Sequence, residues 1–141
     1  MEELLVYVIL LCEELVTEDE YCQRLDELFL DEPENDDLLN LEWEPDIKEA
    51  IIYIRTHIDY KNLDVERFGK TLMSKLQVIY ENCSDIEDFA NRMYSLWENL
   101  PGNIQEREPF WTLSYADDPL SWGDVQQTRS LYKQMFNYYN E

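Results

Sequence analysis

SDIEDFANRMYSLWENLPG, residues 84–102, is the stretch whose reading decides the fold. It opens on SDIE, a capping box in which a Ser or Asp side chain and a Glu three positions on satisfy the first free N–H groups of a helix. Ile86, Phe89, Ala90, Met93, Trp97 and Leu100 then recur every three or four positions, which puts them on one face at 3.6 residues per turn. PG at 101–102 stops the pattern. The same grammar repeats outward in both directions. Asp64 precedes Val65, Phe68, Leu72, Leu76 and Ile79, with Gly69 either weakening that helix or allowing a close helix crossing. PDIKE at 45–49 sets Asp46 and Glu49 before Ile47, Ala50, Ile51, Ile54 and Ile58, and TEDE at 17–20 sets Thr17 and Glu20 before Tyr21, Leu25, Leu28 and Phe29. A last helix starts near Ser121 or Asp124 and aligns Val125, Thr128, Tyr132, Met135, Phe136 and Tyr139.

The run LLVYVILL at 4–11 suits a buried strand as well as a helix, and its flanking EE and CEEL favour helix. No NG or DG turn dipeptide occurs and no segment alternates at period two. The expected fold is therefore all-α: one domain over residues 1–141, a bundle of five to six helices, with two irregular acidic and aromatic segments at 31–44 and 101–122.

A chain of 141 residues, 45% hydrophobic and 13% aromatic, buries enough apolar surface to fold as one ordinary domain despite its 32 Asp and Glu. Only 11 Lys and Arg oppose them, leaving a formal net charge of -21. That excess argues against direct binding to nucleic acid or an anionic membrane, both of which gain affinity from protein cations. It favours a basic protein partner, a cation, or plain solubility. Cys12, Cys22 and Cys83 make no CxxC pair and are expected to be buried free thiols. The first apolar run follows Glu2 and Glu3 where a signal peptide carries Lys or Arg, and eight residues fall far short of the roughly 20 needed to span a bilayer. A soluble, cytoplasmic protein is expected.

Residues 31–46, DEPENDDLLNLEWEPD, hold eight carboxylates and no cation. Asp31 and Glu42 have the spacing of the first and last ligands of an EF-hand loop, yet Pro33 stands at its third position and Asp36 where a Gly makes the turn. No metal or cofactor is expected. His57 falls near the end of a helix, where a capping or surface role suits it better than base catalysis. A Cys83–His57 nucleophile has no supporting signature, and GxGxxG, GxxxxGK[ST], GxSxG and HExxH are absent. An enzyme is not expected.

What the sequence does offer is rings among carboxylates. Trp43 sits with Asp36, Asp37, Glu42 and Glu44, and EREPFWTLSYADDPLSWGD at 106–124 places Phe110, Trp111, Tyr115 and Trp122 with Asp117, Asp118 and Asp124. Large rings supply contact area and carboxylates supply steering and charge pairs, the composition of a surface for a basic protein. The plain alternative is that Trp111 and Trp122 plug the end of the bundle.

LEWEPDIKEAIIYIRTHI at 41–58 and SLWENLPGNIQEREPFWTLSYADDPLSWGD at 95–124 resemble the small, acidic, helical bacterial immunity proteins of toxin and immunity systems, including contact-dependent inhibition. The likeness is one of size, acidity and texture over most of the chain. It implies a cytoplasmic protein that binds a cognate toxin, commonly a nuclease with a basic surface, and covers its active site or substrate groove. It carries no residue-level assignment. Two other classes stay open: a DNA mimic, with acids spread along one extended face, and a helical adaptor subunit.

Overall fold

Asp85, not Ser84, caps the helix that follows the opening stretch: its side chain accepts from the Glu87 N–H at 3.0 Å. This is the computed structural model of the chain, which describes residues 1–140. Among those residues there is no strand and there are eight α-helices, so the all-α class holds and the expected five to six helices are too few. The extra helices lie in the segments expected to be irregular. By Cα proximity the chain divides into two compact units, Met1–Leu63 and Asp64–Glu141.

The first unit holds α1 (Glu2–Cys12), α2 (Glu18–Asp31), α3 (Asp36–Glu42) and α4 (Ile47–His57), then a 3-10 turn at Tyr60–Asn62. The run at 4–11 is helix: Leu4 to Leu10 are all buried in α1. That helix stops in a Schellman motif, the Leu15 N–H donating to the Leu10 carbonyl at 2.9 Å and Glu14 to Leu11 at 3.0 Å. Glu14 takes the left-handed conformation there, φ 58°, which a glycine usually fills. The capping box at Thr17 and Glu20 forms in both directions, at 3.2 and 2.9 Å. At α4 the Asp46 side chain caps Lys48, but the Asp46 N–H is taken by Glu44 and not by the expected Glu49.

α1 packs on α2 and α4, and α2 packs on α3. Arg24 ties α2 to α1 through Glu3 at 2.7 Å while also holding Glu27 at 2.8 Å. The Tyr53 hydroxyl joins α4 to α3, donating to Asp37 at 2.7 Å and accepting from Asn40 at 3.0 Å.

The second unit holds α5 (Val65–Glu81), α6 (Ile86–Glu98), α7 (Thr112–Tyr115), a 3-10 turn at Asp118–Trp122, and α8 (Val125–Phe136). Asp64 caps α5 and Asp124 caps α8, so the later of the two candidate starts for the last helix is used. Phe68, Phe89, Phe110, Tyr132 and Phe136 make an aromatic core, with Phe89 set edge-on to Tyr132 at 5.1 Å. Thr128 is fully buried and donates to the Ala116 carbonyl at 2.7 Å, which ties α8 to the end of α7. Gly69 is buried on α5, and a Cβ there would lie 2.6 Å from Tyr139 Cζ. The close approach that Gly69 allows is thus to a side chain beyond α8. The cysteines depart from expectation: Cys12 and Cys22 are exposed and Cys83 is half-buried.

Candidate protein-binding surfaces

Asn35 makes the first candidate surface by capping α3, its Oδ1 accepting from the Asp37 and Leu38 N–H groups at 3.0 and 3.3 Å. The helix that follows buries Leu38 and Leu41 and turns Leu39 and Trp43 outward. Leu39 and Trp43 are four residues apart and so share a face. Trp43, the C-cap of α3, is 81% exposed, more than any other large apolar side chain described. Asp31, Glu32, Glu34 and Asp36 are exposed around the preceding turn.

Three of the acids expected to serve a partner are occupied within the fold. Asp37 receives the Tyr53 hydroxyl, and Glu44 holds the Asp46 N–H. Glu42 is half-buried, its Oε1 enclosed without a hydrogen-bond partner, and the exposed Asp26 of α2 lies near it. Burial first, then Asp26, pushes the Glu42 carboxyl up to about 7. The buried Tyr21 hydroxyl lies near the pair, also without a partner, and burial raises its pKa.

In the second segment Trp122 is 63% exposed and Asp118 is exposed in the same 3-10 turn. Trp111 is 39% exposed but leans edge-on against Trp97 at 5.9 Å, and Trp97 in turn lies 5.9 Å from the exposed Tyr94. Trp97 is fixed by its indole N–H on the Gln105 carbonyl, at 2.9 Å. Tyr115 is half-buried, and Asp124 is occupied as the α8 cap. Asp117 turns inward: its Oδ1 is buried without a partner, and burial, with Asp118 adding to it, raises its pKa. Phe110 is wholly core. Trp111 thus partly plugs its unit, whereas Trp122 does not.

His57 ends α4 as an exposed residue stacked on Tyr53 at 3.8 Å, with Nδ1 donating to the Tyr53 carbonyl at 2.9 Å. Among the described residues no group of three or more His, Cys, Asp and Glu could hold a metal ion, and no helix is long and apolar enough to cross a membrane. A shallow groove on α8, lined by Ser130, Lys133, Gln134, Asn137 and Tyr138, includes none of the expected site residues.

No family model, curated protein or solved structure matches this chain. The candidate surfaces therefore stand on their own chemistry. Leu39 and Tyr94 escaped the sequence reading, and Trp97 entered it only as part of the apolar stripe of α6. Leu39 had a signal in its spacing from Trp43, but only recognition of Asn35 as a cap would have made that spacing helical.

Proposed function

We propose that this protein is an immunity-type inhibitor that binds a basic protein toxin, such as a nuclease, through the outward face of α3. The observation that carries the reading is Trp43, 81% exposed at the end of α3 in a chain of net charge -21. A solvated indole is not a core residue. It supplies the large rigid ring of a hot spot, and the exposed Asp31, Glu34 and Asp36 at and before the start of the same helix supply steering charge for a cationic surface. The charge also speeds capture, since steering raises association rates by about 10 to 1,000-fold at low salt. Trp122 with Asp118 is a second surface of the same chemistry. A DNA mimic has little use for an exposed indole, and so is the less favoured reading.

The test is coexpression with the basic protein encoded next to this gene. Protection from that protein's toxicity is expected, and Trp43→Ala should weaken the isolated complex by about 2 kcal/mol or more. Reversing Asp31, Glu34 and Asp36 to Lys should slow association, mostly at low ionic strength. An unrelated neighbouring reading frame and no bound basic protein would sink the immunity reading.

A further inference from the structure

Tyr94, Trp97 and Trp111 form a row of rings that the core of their unit does not use up. Trp97 stands 5.9 Å from each of the other two, at 41° to Tyr94 and at 73° to Trp111. Two indoles set edge-on hide at most one face of one ring from each other. Tyr94 and Trp111 are exposed and Trp97 is half-buried, so the row from α6 to the start of α7 keeps ring surface in water. It is also held still. The Trp97 indole donates to the Gln105 carbonyl at 2.9 Å, and the Gln105 amide donates back to the Trp97 and Glu98 carbonyls at 3.1 and 3.3 Å. The Trp111 backbone is fixed from both sides, its N–H donating to the Arg107 carbonyl at 2.9 Å and its carbonyl accepting from the Ser114 hydroxyl at 2.6 Å. Rings fixed in advance lose little side-chain freedom when something binds.

The charges around the row select its occupant. Because the Trp97 N–H is already taken inside the fold, that ring offers a partner only its π-face, which attracts cations as well as apolar groups. Glu98 is exposed and lies four residues after Tyr94 on α6, so the two project from the same side. Glu106 is exposed in the turn that follows. The cations of this segment are fewer: Arg92 is held by Asp88 at 3.2 Å, and Arg107 stands between Glu106 and Glu108. A guanidinium matches both halves of such a surface. It is planar and weakly hydrated, it stacks on aromatic faces, and its fork takes a carboxylate at the same time. A neutral apolar side chain would leave the carboxylates without a counter-charge, and an anionic one would be repelled. We propose that the Tyr94–Trp97–Trp111 row is a binding site for an arginine side chain of a partner protein, the guanidinium lying against the rings with Glu98 as its counter-charge. The site belongs to the second unit and does not depend on what α3 binds.

The experiment uses the whole chain and a short probe, the blocked peptide acetyl-Gly-Arg-Arg-Gly-amide, beside the same peptide with citrulline or lysine in place of arginine. The indole N–H signals of the four tryptophans are followed by NMR at about 0.15 M salt, where charges more than about 8 Å apart are screened. The arginine peptide should shift Trp97 and Trp111 furthest, the lysine peptide should bind more weakly, and the citrulline peptide should shift none. Tyr94→Leu, Trp111→Leu and Glu98→Gln, all at exposed positions, should each weaken arginine binding by about three- to tenfold. Trp43→Ala should leave it unchanged, which separates this site from the face of α3. Equal shifts of the exposed Trp43 and Trp122 would mean unselective attraction to an acidic chain and overturn the proposal. So would a citrulline peptide that binds as well, ring variants without effect, or no shift at all. The titration of the native chain needs no variant, so a variant that fails to fold leaves the test intact.

Discussion

Replacing Gly69 by Ala sets two effects of known size against each other. In the middle of α5 an alanine should gain about 1 kcal/mol of helix propensity over glycine. Its Cβ, however, would fall 2.6 and 2.8 Å from the Tyr139 ring carbons Cζ and Cε2, closer than carbon atoms pack. Tyr139 must then move. The ring is half-buried, enough to push its hydroxyl up to about 12, chiefly through burial. Expelling it gives up roughly 80 Å² of contact, about 2 kcal/mol at 25 cal/mol per Å². Gly69→Ala should therefore destabilise by about 1 kcal/mol, whereas the same change in a Tyr139→Ala background should stabilise by about 1 kcal/mol. The coupling, about 2 kcal/mol, is read from urea midpoints of the four proteins in a double-mutant cycle. Additive effects would refute the contact, and a stabilising Gly69→Ala in the otherwise native chain would refute the reasoning altogether.

Three further changes are informative. Glu14→Gly should stabilise by about 1 kcal/mol in thermal or urea unfolding, because Glu14 holds the left-handed position of the α1 Schellman motif at φ 58°; a loss would mean that its side chain contributes more than its backbone costs. Tyr132→Phe removes a fully buried hydroxyl that has no partner, and should leave stability unchanged or raise it by up to about 1 kcal/mol; a clear loss would show that the hydroxyl is hydrogen-bonded. Glu42→Gln should stabilise at pH 8 and much less at pH 4, since the Glu42 carboxyl is raised from 4.5 to about 7 and ionises at a cost on folding. The gain should be about 1 kcal/mol, well under the full pKa difference because the side chain is only half-buried. Equal effects at both pH values would contradict it.

The residues that were legible in the sequence are those whose message is local. Thr17, Asp46, Asp64 and Asp124 cap helices where their own neighbours say they should, because a cap is a hydrogen bond across two or three residues. The stripes after them point inward because period 3.6 leaves an apolar face no other place to go. α3 and α7 were missed for a matching reason. Seven and four residues are too short for a periodicity to show, and such helices form through packing more than propensity. The capping signal of Asn35 was present, but lay inside a run of acids that dominates any composition-based reading.

The sequence by itself determined the helical class, most of the helix starts, and the strong net acidity, all of them sums over neighbours or over the whole chain. Only the tertiary structure decided which acids are free. Asp36 and Asp118 stay in water, Asp37 is taken by a tyrosine sixteen residues away, Glu42 faces Asp26 across a helix pair, and Asp117 turns inward. Identical side chains part in this way because a carboxylate's role depends on the donors and dielectric around it. Those come from residues distant in sequence, brought near only when the helices pack.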